Sequence, residues 1–167
     1  MPEHLLGTAL HPLNELEERA HEAWLHARAK YDGRERVLEQ RIPLLDCLWN
    51  DVLHLSPVHP GELVEALEGV GLDPGGRRFF EVDAARLDRG RAVIFRNSTD
   101  REHRFDDGQW SWFEPGLVSP LTRLPEATRV YYAQCAREGS RPLLFAYVPH
   151  VLFRGSLEVT GLRVVEV

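Results

Sequence analysis

Lysine is all but missing from this chain of 167 residues: Lys30 stands alone, and arginine supplies the rest of the 20 Lys and Arg side chains. A phosphate-loop lysine or a Schiff-base lysine would have to be Lys30. It lies in a polar helical stretch with no Gly-rich loop before it, so neither chemistry is expected. Cysteine is nearly as scarce. Cys47 and Cys135 show no CxxC spacing, so neither a zinc knuckle nor a disulfide framework is expected. No apolar run approaches the ~18 residues that a membrane span requires. The opening "MPEHLLGTALHPL" has no basic leader, so the expectation is a cytoplasmic protein without a signal peptide. In that compartment the sequon Asn97-Ser98-Thr99 has no consequence. Repeats and low-complexity tracts are lacking too.

Charge of one sign is short in each half. The net charge of -6 divides into -8 for residues 1–74 and +2 for residues 75–167. An acidic chain argues against general double-stranded DNA binding, because coating phosphates takes a basic surface. The length suits a single domain over 1–167, with an ordinary apolar fraction for a core.

What is present is a change of pattern near "GLDPGG", residues 71–76. Before it the apolar spacing is helical. Leu13, Leu16, Ala20, Ala23, Trp24, Ala27 and Tyr31 recur at three- and four-residue steps and predict a helix over 12–31. A second helix is predicted over 34–55, with Pro43 kinking it or starting a fresh one. A third begins near Pro60 and stops at Gly69 or Gly71. Beyond Gly76 the runs "RRFFEV", "RAVIFR", "PLLFAYVPHVLF" and "SLEVTGLRVVEV" predict strands. Gly161 suggests a bulge, and Pro149 an edge or an interruption. Pro125, Glu126 and Gly139 bracket a helix over 125–138. The fold class is therefore α+β: an acidic helical subregion over 1–74, about three helices, on one face of a mostly antiparallel sheet from 75–167. The other face would stay open.

Six of eight histidines precede residue 60, and the pairs Glu18/His21 and Asp51/His54 have the i, i+3 spacing of carboxylate bundles. At about 100° per residue, His11, Glu15, Glu18, Glu22 and His26 share a face opposite the apolar set. They read as a solvated face, so no metal and no cofactor is assigned. "HPGE" at 59–62 resembles the opening of some helix-turn-helix antitoxin repressors. That likeness ends within the helix, since "GLDPGGRRFFEV" leaves no room for the scaffold helix. Pro and Glu in a first turn are ordinary helix-start chemistry.

"LHLSPVHPGELVEAL" and "VPHVLFRG" together resemble the two-histidine phosphoesterases, whose paired H-x-(T/S) motifs face each other across a cleft. The resemblance implies His54 and His150 as an acid/base pair on a phosphodiester, with Ser56 as a phosphate-holding hydroxyl and Arg154 close behind. Histidine suits proton transfer near neutral pH. The chain departs from that pattern in three ways. Leu152 stands where the second hydroxyl belongs, few residues follow His150, and helices replace the family's opening strand.

The stretch "HRFDDGQWSWF" at 103–113 predicts a hairpin turning on Asp107-Gly108. Trp110 and Trp112 would then share one strand face, opposite Phe105. Such a pair builds a hydrophobic cluster, or, if exposed, a stacking surface served by Arg96, Arg101 and Arg104. The functional expectation is a non-catalytic binding or regulatory domain. Its ligand would be anionic (a nucleotide or short RNA), or a protein partner or second copy. Arg77, Arg78, Arg96, Arg104, Trp110, Trp112 and Arg154 are its candidate contacts. The alternative is a divergent two-histidine phosphodiesterase using His54, Ser56 and His150.

Overall fold

The computed structural model describes residues 4–33, 35–97 and 107–167. In chain order the elements are β1 (Leu5–Leu6), β2 (Ala9–Leu10), α1 (Leu13–Arg19), α2 (His21–Arg28), β3 (Arg41–Ile42), β4 (Cys47–Leu48), β5 (Leu53–Leu55) and α3 (Pro60–Glu68). There follow β6 (Arg78–Glu81), β7 (Ala92–Phe95), β8 (Trp110–Trp112), α4 (Pro115–Val118), α5 (Glu126–Glu138), β9 (His150–Phe153), β10 (Leu157–Glu158) and β11 (Arg163–Glu166). The class is mixed α+β, and every strand pairing is antiparallel.

Several local expectations hold. Pro60 opens α3, where the His59 ring accepts the Gly61 N–H at 3.1 Å and so satisfies one orphan donor of the first turn. Gly139 ends α5 in the left-handed region, φ 64°, with its N–H turned back to the last carbonyls. The helix predicted over 12–31 is interrupted. Ala20 leaves helical geometry at φ -155°, ψ 70°, between α1 and α2, and no Gly or Pro marks that break.

The helix predicted over 34–55 does not form. Three 3-10 turns (Glu35–Val37, Pro43–Leu45, Trp49–Asp51) alternate there with β3, β4 and β5. Pro43 starts its turn because it lacks a donor, and Asp46 then turns the chain at φ 45°, left-handed geometry that no continuous helix accepts. The apolar residues at helical spacing belong to separate short turns. The first half does hold three α-helices, α1, α2 and α3, but the first predicted helix supplies two of them and the second supplies none.

Nor does the first half simply lie on a sheet made by the second. The central sheet runs β5-β9-β7-β8, so the first half inserts a strand of its own. Both faces are covered. Leu53, Ala92, Ile94, Val151, Phe153 and Phe113 pack on one side with Leu10, Leu87 and Leu157. Val93, Phe95, Trp110 and Leu152 pack on the other with Ile42, Leu45, Cys47 and Val52. This alternation follows the period of two along each strand. A third cluster joins α3 and α5 through Leu63, Ala66, Leu67 and Tyr132. It includes Val58, just past β5, and Val148, just before β9. The Tyr132 hydroxyl donates to the Leu144 carbonyl, anchoring α5 to the segment that feeds β9.

Pro149 does not make its strand an edge. It directly precedes β9, an interior strand, where a missing N–H does no harm to the ladder. Gly161 sits at φ 75° in a turn between β10 and β11, which pair with different partners, rather than in a bulge. His11, expected on a solvated face, is buried. Its Nδ1 meets Glu15 Oε2 at 3.2 Å and Ser156 Oγ at 2.9 Å, tying α1 to the stretch after β9.

Candidate functional site

In the β5–β9 ladder His54 lies opposite Leu152 and Leu55 opposite Val151. His150, two positions before Leu152, therefore shares a sheet face with His54 as its diagonal neighbour. The two imidazoles meet edge to face, with centroids 6.0 Å apart and an interplanar angle of 86°. Residues separated by most of the chain are thus brought side by side by one strand pairing.

Each ring has one nitrogen occupied. His54 Nε2 lies 2.9 Å from the Trp49 carbonyl oxygen, and His150 Nδ1 lies 2.7 Å from that of Val148. A carbonyl only accepts, so each of those nitrogens carries the proton. The tautomers follow from the network: the lone pairs sit on His54 Nδ1 and His150 Nε2. Two acceptors are therefore held on one face.

The surroundings keep both rings neutral. Desolvation pushes His54 down to about 3, with the nearby His150 adding to the effect, even though part of the His54 surface faces solvent. Burial pushes His150 down to about 4. The positive charge of Lys30 acts on His54 in the same direction. Aromatic rings flank the pair. Trp49 stands edge-on to His54 at 4.6 Å, and Phe145 lies 6.3 Å from His150. The row extends through Phe79 on one side and through Phe95 and Trp110 on the other.

Ser56 is occupied locally. Its Oγ donates to the Val58 carbonyl and accepts the Val58 N–H, closing the turn before α3. Leu152 is fully buried opposite His54, so no hydroxyl occupies the second position of the two-histidine pattern. Arg154, beyond the far end of β9 from His150, donates from Nη1 to the Leu45 carbonyl at 3.0 Å. Arg96 follows Phe95, the cross-strand partner of His150. Its side chain lies on the opposite face, where Nη1 donates to Ser111 Oγ. Arg77 and Arg78 are exposed beside the separate β6–β11 pair, with Arg77 Nε donating to Pro74 O. Arg104, Arg101 and Phe105 lie outside the described residues. The described candidate contacts, Arg77, Arg78, Arg96, Trp110, Trp112 and Arg154, are thus spread over different elements rather than gathered on one surface.

The first strand of the hairpin predicted over 103–113 lies outside the described residues. Asp107–Gln109 forms a 3-10 turn leading into β8, which pairs with β7: Trp110 faces Phe95, and Trp112 faces Val93. The tryptophans share a face but differ in burial, at 8% and 47% exposed. Trp110 stacks on Phe95 inside the core beneath Leu45, whereas Trp112 lies past that cover.

Sequence reasoning missed Trp49, Lys30, His4 and Asn50. Asn50 is 2% exposed. Its Oδ1 accepts from the Tyr31 hydroxyl at 2.9 Å, while its Nδ2 has no hydrogen-bond partner among the described residues. The one available signal was the isolation of Lys30 in a lysine-poor chain. Among the described residues no group of three or more His, Cys, Asp or Glu could hold a metal ion, and no helix is long and apolar enough to cross a membrane. Compared with protein-family models, curated proteins and solved structures, the chain matches none.

Proposed function

We propose that this chain binds a nucleotide at the His54–His150 pair. The observation that carries the reading is the pair itself: two imidazoles 6.0 Å apart, each with one nitrogen fixed by a backbone carbonyl. Neutral rings of this kind present acceptors, and the donors they suit are ribose hydroxyls or a base amino group. The flanking Trp49 and Phe145 offer apolar faces of the sort on which bases pack. A few convergent polar groups among aromatic side chains is the usual composition of a small-molecule site.

Isothermal titration with adenosine 5′-monophosphate tests it, using the native chain, His54→Ala and His150→Ala, with folding checked by circular dichroism. Each variant loses an acceptor from the pair, so binding should weaken by roughly tenfold or more. Unchanged affinity in both folded variants overturns the reading. Absence of nucleotide binding to the native chain overturns it too and leaves a protein partner as the reading to pursue.

The convergence of the histidines also favours a second reading, phosphodiester cleavage. An acid/base pair needs one protonated member, and both rings are held neutral down to about pH 4. Turnover of a 2′,3′-cyclic nucleotide would then rise as the pH falls toward 4. Activity that peaks at neutral pH, or survives His150→Ala, refutes this mechanism.

A further inference from the structure

The histidine pair meets a ligand with acceptors alone. His54 Nε2 and His150 Nδ1 direct their protons to the Trp49 and Val148 carbonyls. His54 Nδ1 and His150 Nε2 keep their lone pairs, and among the described residues neither has a hydrogen-bond donor. Burial holds both rings neutral above about pH 4, so neither gains a proton with which to meet an anion. His54 is exposed and His150 partly so, which leaves the pair within reach of a ligand from solvent.

Two acceptors ask for two donors, and a nucleotide offers two kinds: the amino group of a base and the 2′,3′-diol of a ribose. The ring planes decide between them. An imidazole lone pair lies in the plane of its own ring, and these two planes cross at 86°. The N–H bonds of a base amino group share the plane of the base, so they suit acceptors held in one plane. Ribose hydroxyls turn independently about their C–O bonds, and each can follow a lone pair into a separate plane. The centroid separation of 6.0 Å is on the scale of a single sugar.

We infer that His54 and His150 each accept one hydroxyl of a ribose 2′,3′-diol, which makes the site selective for ribonucleotides over deoxyribonucleotides. The inference rests on the nucleotide reading above and adds which part of the ligand the pair recognises. With no proton to give, the imidazoles contribute nothing to a fully ionised phosphate, whose oxygens only accept. A 2′,3′-cyclic ester, the substrate of the rival reading, has no hydroxyl at either position and loses both bonds.

The test titrates the native chain with adenosine 5′-monophosphate and with its 2′-deoxy, 3′-deoxy and 2′,3′-dideoxy forms. Each single deletion removes one hydrogen bond and leaves one acceptor unpaired, so binding should weaken roughly fivefold to tenfold, and the dideoxy form should lose more than either. In folded His54→Ala one of the two single-deoxy ligands should match adenosine 5′-monophosphate, and in folded His150→Ala the other. Inosine 5′-monophosphate, which keeps the diol and lacks the amino group, should bind the native chain as well as the adenosine ligand does. A dideoxy form that binds as tightly as the ribonucleotide overturns the inference and leaves the nucleotide reading standing. Weakened binding of the inosine ligand beside intact binding of the deoxy forms does the same, and places the amino group at the pair. Deoxy penalties that persist undiminished in both variants also overturn it, because the hydroxyls are then held elsewhere. If adenosine 5′-monophosphate itself does not bind the native chain, the nucleotide reading fails and the inference with it.

Discussion

Acid should unfold this protein partly through the histidine pair, in an amount the geometry sets. An imidazole at 6.5 in the unfolded chain is held at about 4 for His150 and about 3 for His54 in the folded one. Below pH 6.5 the unfolded chain therefore binds more protons than the native one, and stability falls as the pH drops toward 4. For His150 the ceiling is about 3 kcal/mol. His54 adds less than its lower value implies, since solvent at its open edge screens the charge. In a domain of this size about 3 kcal/mol amounts to roughly 5–10 °C in Tm. Carboxylates contribute their own acid sensitivity, so the comparison is between slopes. Thermal denaturation of the native chain and of a His54→Gln/His150→Gln variant is followed from pH 7.5 to pH 4.5. Glutamine can still donate to the Trp49 and Val148 carbonyls but cannot take up a proton. The native Tm should fall more steeply by that margin. Parallel curves would refute the account of two rings held neutral in the fold.

The two tryptophans of β8 should separate sharply. Trp110→Ala empties a core position and should cost about 3–5 kcal/mol, whereas Trp112→Ala, half exposed, should cost under about 1 kcal/mol; urea titration reads both, and equal costs would contradict the burial described. Gly155→Ala should destabilise as well. The glycine lies at φ 125°, and an added Cβ would collide with the Arg91 guanidinium. Adding Arg91→Ala should recover only the steric part, leaving the backbone strain in the melting curve.

Much of the local structure was legible. The helix starts at Pro60 and beside Pro125, the stop at Gly139 and the strand over 92–95 all follow from chemistry within a few residues. The failure at 34–55 has a physical source: Leu44, Leu45, Leu48 and Val52 keep helical spacing, but Pro43 and the left-handed Asp46 divide them among turns. The site was half legible. His54 and His150 could be nominated, whereas their contact depends on a ladder register between distant segments that no local pattern encodes. Trp110 and Trp112 show the same limit. Alternation places them on one face, but only the overlying 43–45 turn decides which of them is buried.

The pairing of β5 with β9 also governs when the two histidines can meet. Strands separated by more than half of the chain must close a large loop before they gain any contact, and such closures come late and slowly in folding. A nascent chain could carry α3, β7 and α5 in place and still lack the histidine pair, because His150 would not yet have arrived. The exposed boundary near Pro74–Gly76, which looks like a place to divide the molecule, would on cutting leave each piece with half of a shared sheet. The contact between His54 and His150 is therefore a property of the finished fold alone, and a ligand bound there would protect the whole chain from proteolysis rather than one region of it.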